Sequence, residues 1–244
     1  MLFPVRDSIP SRIWPVVNVS VIVTCGLAFL YQLTLGRELE GFLRVAAFIP
    51  ARLFDVVPEY QIPSPDYGLA GNLGTMISSM FLHGGWLHII GNMWILYVFG
   101  DNVEDALGHV RYLLFYLAGG IVATLTHAVT SPASPMPLIG ASGAIAAVLG
   151  AYLVWFPHSR VSTLVFLGFF ITMTELPALV FLVFWFVLQF FQGTLSLGDT
   201  AAGGGVAWFA HVGGFIFGFA VALVLKLSGR VVPTPSRPQI WYRQ

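Results

Sequence analysis

The chain reads as an all-α polytopic membrane protein with six spanning helices, and two observations predict this. Of its 244 residues 57% are hydrophobic and only 9% charged, against roughly a quarter charged in an ordinary soluble domain, so a water-facing surface cannot be built from it. The apolar residues are also gathered into runs that reach or approach the about 20 residues a helix needs to cross a bilayer. Formal charge is zero and the 11 basic residues form no long run, so nothing points to nucleic acid as a partner. The one cysteine, Cys25, lies inside an apolar run and has no internal disulfide partner; it is read as packing.

Taken in order, residues 1–12 are a short polar segment, and the membrane domain covers residues 13–227. The first apolar run, residues 13–35, is too long for a signal-peptide core and has no convincing Ala-x-Ala cleavage site, so it is expected to remain as an anchor. A long first loop, residues 36–74, mixes Pro50, Pro58, Pro63 and Pro65 with aromatics including Phe42, Phe48, Phe54, Tyr60 and Tyr67. That apolar content argues for a structured cap at the bilayer surface over a disordered connector. The remaining spans are residues 87–99, 107–128, 142–156, 177–191 and 206–227. Residues 161–174 are apolar too, but Glu175 interrupts them. They are expected to be interfacial, with Glu175 paired to Arg160 or Arg111, and the fifth span starts at Pro177, where proline suits a first helical turn. Residues 228–244, with Pro233, Pro235 and Pro238, read as a flexible tail.

Six spans put both termini on one side. Arg6, Arg12, Arg111, Arg160, Lys226, Arg230, Arg237 and Arg243 then share that side, while Arg37, Arg44 and Arg52 fall opposite. The positive-inside rule makes the termini cytoplasmic, and a bacterial plasma membrane is the expected location.

The fourth span is short. Its about 15 residues reach roughly 23 Å, against a hydrocarbon core of about 30 Å. Because His158 and Arg160 mark the cytoplasmic end, the submerged end is Ser142. Gly140 and Gly143 beside it permit a tight turn and close backbone approach. A hydroxyl at a helix N-terminus also sits beside unpaired backbone N–H groups and the positive end of the helix dipole, which suits a developing oxyanion. On the sixth span, Gly214, Gly218 and Ala222 follow His211 at offsets of 3, 7 and 11, and on the fourth, Ala146 and Gly150 follow Ser142 at 4 and 8. Both polar residues head small-residue stripes of the kind that lets helices approach in lipid. Docked stripes bring His211 to Ser142 as base and nucleophile. With no acid placed to orient the histidine, Asp199 lying upstream in a loop, a dyad is expected. His88 and Asn92, four residues apart, share one face of the second span. Both can donate to an oxyanion together with the Ser142 N–H, and His83, just outside that helix, is read as support.

Gly140-Ala141-Ser142-Gly143, Ala210-His211-Val212-Gly213-Gly214 with Gly218, and His83-x4-His88-x3-Asn92 resemble the three signature elements of rhomboid intramembrane serine proteases, in the family's order. The stretch Gly100-Asp101-Asn102-Val103-Glu104 with Gly108 and Arg111 also resembles the family's connection between its second and third helices, where Glu104 and Arg111 are expected to serve structure. The resemblance implies a six-transmembrane-helix rhomboid-like bundle, a Ser142/His211 dyad, an oxyanion site at His88 and Asn92 with His83, Gly140 and Gly143 in support, and transmembrane protein substrates in the lipid bilayer. It implies no metal and no cofactor. Two positions depart from the family's pattern. Some members carry a tyrosine four residues after the serine, stacked on the histidine, where this chain has Ala146. Many carry Trp-Arg in the first loop, where this chain has Gly74-Thr75.

A lone serine in a spanning helix is usually packing. His109, His127 and His158 share no ligand motif and are read as interfacial. The aromatics of the fifth span, Phe181, Phe184, Trp185, Phe186, Phe190 and Phe191, are read as lipid-facing bulk or packing, or as a gate toward the dyad. The alternative for the whole chain is a non-proteolytic rhomboid-like module that binds membrane proteins; such relatives typically lack the Ser/His pair.

Overall fold

The computed structural model describes residues 2–54, 68–167, 170–196 and 207–231. The expectations for the middle of the first loop, for the connection that contains Asp199 and for the tail lie outside the described residues. Each of the six apolar runs read as spans lies in a helix, while the apolar stretch 161–174 forms strands. In chain order the structure has β1 (Leu2–Asp7), α1 (Val16–Thr34), α2 (Leu39–Ala46), α3 (Pro50–Phe54), α4 (Gly68–Ser78), α5 (Trp86–Leu107), α6 (His109–Thr130), α7 (Ser142–Trp155), β2 (Arg160–Leu167), β3 (Phe170–Pro177), α8 (Ala178–Ser196) and α9 (Trp208–Leu227). Helices α1, α6 and α9 are long and apolar enough to cross a bilayer, while α7 and the 178–188 part of α8 are apolar but shorter.

The bundle is built around α7, whose residues from Gly143 to Trp155 are all buried. Small residues make this possible. A side chain on Gly218 would strike the Ala147 carbonyl, one on Gly214 the Gly143 carbonyl, and one on Gly150 the Phe215 carbonyl. Helices α7 and α9 therefore touch backbone to backbone, which is how helices gain contact in lipid, where apolar burial between them adds little. The α9 stripe is the expected one. On α7 the facing positions are Gly143, Ala147 and Gly150 rather than Ser142, Ala146 and Gly150. An offset of 4 on a 3.6-residue turn overshoots by about 40°, so the stripe beginning one residue later fits the interface, and Ser142 is left at its edge.

Helix α5 runs to Leu107, two turns beyond the expected end, because its polar last turns are satisfied inside the protein. Glu104, fully buried, accepts from the Val17 and Asn18 backbone N–H groups at 3.0 and 2.7 Å, taking two of the donors left open at the start of α1. His109 Nδ1 lies 2.5 Å from the same carboxylate. Asn18 is held in turn by the Leu96 carbonyl at 3.1 Å and the Tyr112 hydroxyl at 2.7 Å. The break between α5 and α6 is Gly108 alone, at φ +78°, a left-handed conformation that favours glycine. Glu104 is structural, as the resemblance implies, and Arg111 lies exposed near the start of α6.

One element was not anticipated. Residues 2–7, 160–167 and 170–177 form a three-stranded antiparallel sheet in the order β1-β2-β3, so the short polar N-terminal segment and the interfacial stretch are strands that accompany the helical bundle. Phe3 pairs with Leu164, and Ser162 with Glu175. Arg160 Nη1 reaches Glu175 Oε2 at 3.3 Å, one of the two pairings expected for that acid. Pro177 ends β3 and α8 begins one residue later. The sheet is fastened to the bundle by Trp94 Nε1, which donates to the Pro4 carbonyl at 2.7 Å, and by Asp7, which accepts from the Tyr152 hydroxyl and from Asn102 Nδ2.

The described parts of the first loop are hydrogen-bonded to the rest of the protein. The Phe48 carbonyl accepts from the Leu138 N–H at 2.7 Å, the Ser134 carbonyl accepts from the Ala51 N–H at 3.1 Å, and Ser78 Oγ donates to the Ala46 carbonyl at 2.6 Å. The loop is thus tied to α4 and to the segment just before Ser142.

Candidate active site

Ser142 is the first residue of α7 and is half-buried. Its Oγ lies 2.7 Å from His211 Nε2, within ordinary hydrogen-bond reach for a nucleophile and its base. His211, in the first turn of α9, is 8% exposed. The two residues are 69 apart in sequence and meet because the glycines described above let α7 and α9 close on each other.

The turn before Ser142 carries Gly140 at φ +127°, a conformation that L side chains rarely adopt. Its backbone is pressed against α5. A Cβ on Gly140 would stand 2.7 Å from His88 Nε2 and 3.7 Å from Asn92 Nδ2. The absence of a side chain therefore lets His88 and Asn92 come up to the chain two residues before Ser142. Gly140 N–H is held by the Ser79 carbonyl at 2.9 Å, which fixes the turn. Gly143 lies against Ala123 of α6, so each glycine around the serine serves close approach.

Hydrogen bonding orients the α5 pair. His88 Nδ1 accepts from the Gly84 N–H at 3.3 Å, an assignment that leaves the proton of the neutral ring on Nε2, the atom facing Gly140. Asn92 Nδ2 is buried and has no hydrogen-bond partner among the described residues. Both donors thus point to the same small region beside the N-terminus of α7.

His83 packs edge-on against His88, with ring centroids 5.2 Å apart at 69°. Its ring nitrogens are buried without a hydrogen-bond partner among the described residues, and burial, with His88 adding to it, pushes the imidazole down to about 4. It is a neutral neighbour of His88. Its backbone is clamped by a residue sequence reasoning missed. Gln32 of α1, only 3% exposed, accepts from the His83 N–H at 3.0 Å and donates to the His83 carbonyl at 3.1 Å. The available signal was a long polar amide near the end of an apolar run, where burial costs free energy unless it is paired.

The site also shows what stands beside His211 where Ala146 offers no ring. Trp185 of α8 lies 6.1 Å from the imidazole at 39°, and Trp208, three residues earlier on α9, lies 6.1 Å away edge-on at 83°. Of the other histidines, His109 joins Glu104 and His158 is exposed. Among the described residues no group of His, Cys, Asp and Glu is arranged to hold a metal ion.

Comparison with known proteins fits this architecture. The Rhomboid domain family model matches residues 70–228, from the start of α4 to the end of α9. RHOMBOID-like protein 5 of Arabidopsis thaliana is 31% identical over 172 residues, covering 70% of this chain and 47% of the relative. RHOMBOID-like protein 6, mitochondrial, of Arabidopsis thaliana is 29% identical over 153 residues, covering 63% and 44%. Presenilin-associated rhomboid-like protein A, mitochondrial, of Danio rerio is 33% identical over 87 residues, covering 35% and 23%. The chain spans less than half the length of each of these relatives. The matched stretch contains all four of Ser142, His211, His88 and Asn92, in a helical membrane bundle, and by that match the chain belongs to the rhomboid family.

Proposed function

We propose that the chain is an intramembrane serine endopeptidase that hydrolyses peptide bonds in or next to transmembrane segments of membrane proteins. The observation that carries this is the 2.7 Å approach of Ser142 Oγ to His211 Nε2 at the N-terminus of a buried helix. A serine hydroxyl is a weak nucleophile until a base takes its proton, and the imidazole is the only titratable ring within bonding reach of Oγ among the described residues. Ser142 attacks the peptide carbonyl as His211 Nε2 accepts the hydroxyl proton. The same nitrogen then returns the proton to the leaving amine, and water, activated in the same way, releases the acyl group.

The tetrahedral oxyanion is received by the Ser142 N–H, His88 Nε2 and Asn92 Nδ2. Asn92 Nδ2, without a partner among the described residues, supports this reading, because a buried donor without a partner is costly and a developing charge would satisfy it. Depth supports the substrate class. At 14 residues, α7 is roughly 21 Å long, short of a hydrocarbon core of about 30 Å, which supports a nucleophile lying below one membrane surface. The cation asymmetry supports a reading with cytoplasmic termini and Ser142 toward the opposite side.

The test is cleavage of labelled single-pass membrane proteins in proteoliposomes. Ser142→Ala and His211→Ala are each expected to abolish it. Cleavage by Ser142→Ala at the wild-type rate would sink the mechanism, and substrate binding without cleavage by the wild type would favour a non-proteolytic module.

A further inference from the structure

The 2.7 Å contact between Ser142 and His211 is useful only if the imidazole cannot rotate away, since turning about its Cβ–Cγ bond carries Nε2 out of reach. Residue 146, one turn on from Ser142, is an alanine and offers no ring. Trp208 and Trp185 each place a ring against His211, at separations within the range where aromatic pairs attract. They differ in origin. Trp208 is on the histidine's own helix and moves with it, whereas Trp185 comes from α8.

Helix α8 packs through one face. Phe181 and Leu182 are buried, Phe186 stacks on Phe215 of α9 at 4.5 Å and 28°, and Trp185 contacts both Phe215 and His211. Its other face, with Leu179, Val180, Val183, Phe184, Val187 and Leu188, is exposed. The indole is thereby seated over one turn of α9, between His211 and Phe215, by contacts that do not involve the histidine.

We infer that Trp185 is a positioning residue for His211: the ring α8 supplies packs on the imidazole and holds it toward Ser142. Its face also lies near enough to favour the imidazolium that forms when the serine proton is taken up. A consequence is that this support is present only while α8 is docked on α9.

This rests on the protease reading, and the experiment separates the two. Wild type, Trp185→Leu and Trp185→Phe, reconstituted as full chains, are compared for kcat and KM on a cleaved membrane substrate and for the rate at which a small fluorophosphonate labels Ser142. Leucine keeps apolar bulk but has no ring; phenylalanine keeps the ring. Trp185→Leu is expected to lower kcat and the labelling rate together, by about tenfold, with KM little changed and thermal midpoint close to wild type, and Trp185→Phe to recover most of the loss. A leucine variant with unchanged or raised kcat, a change confined to KM, or equal losses in both variants overturns the inference. A wild type that neither cleaves nor labels at Ser142 overturns the protease reading itself, and the positioning role with it.

Discussion

The Cα of Gly218 in α9 faces the carbonyl oxygen of Ala147 in α7 with no room for a side chain between them. This contact, with its neighbours at Gly214 and Gly150, sets the distance between the helices that carry Ser142 and His211. Gly218→Ala is expected to push α9 outward, costing about 1–3 kcal/mol of overpacking. The thermal midpoint in detergent falls, and cleavage falls further than the midpoint alone accounts for, because Nε2 retreats from Oγ. Substitution of Gly91, whose added Cβ meets nothing within 4 Å, serves as the control.

Asn92 separates oxyanion stabilisation from binding. Asn92→Ala removes a donor aimed at the region beside Ser142 and is expected to lower kcat by about 10²–10³, with KM nearly constant. Steady-state cleavage of one substrate at several concentrations decides the point. A variant altered only in KM excludes the assigned role.

Gln32 is assigned to scaffolding. Gln32→Leu leaves the buried His83 N–H and carbonyl without their partners, at about 1–3 kcal/mol for each group left unsatisfied. A lowered thermal midpoint is expected, with reduced cleavage because His83 packs on His88. Unchanged stability in the leucine variant counts against the clamp.

Asp7 ties the sheet to the bundle and gives stability a pH dependence. Burial raises its carboxyl from 3.8 to about 7; the Tyr152 hydroxyl bond pulls the other way, and the nearby Asp101 adds to the rise. Between about pH 4 and pH 7 the folded protein therefore holds a proton that the unfolded chain has released. Stability falls as pH rises through that window and levels off above it. Thermal scans from pH 4 to 8 should show this decline, and Asp7→Asn, which has no proton to lose, should flatten it. An equal slope in both proteins removes Asp7 as the cause.

Much of this architecture is legible in the chain. The apolar runs give the helices, because a bilayer demands long, locally contiguous apolar segments with their backbone bonds satisfied internally. The start of α7 at Ser142 follows from the Gly-Ala-Ser-Gly turn, and the α9 stripe from its spacing. The sheet was not legible. The pairings of β1 with β2 join residues about 160 apart, such as Phe3 with Leu164, and the signal in residues 2–7 is a short stretch containing Pro4, Arg6 and Asp7, too weak to read as a strand alone. The added turns of α5 were hidden for a related reason: Asn102 and Glu104 look like loop residues until Asp7 and the start of α1 supply their partners.

The sequence by itself determined that the chain enters a membrane as a set of helices, and which polar residues stand at the helix ends, since both depend on local composition and spacing. Tertiary structure decided which face of α7 meets α9, that Gln32 holds His83, and that Trp185 and Trp208 stand against His211. These depend on helix rotation and on contacts between residues far apart in the chain, which a 3.6-residue period alone leaves uncertain by a residue and which one kink or one glycine can redirect.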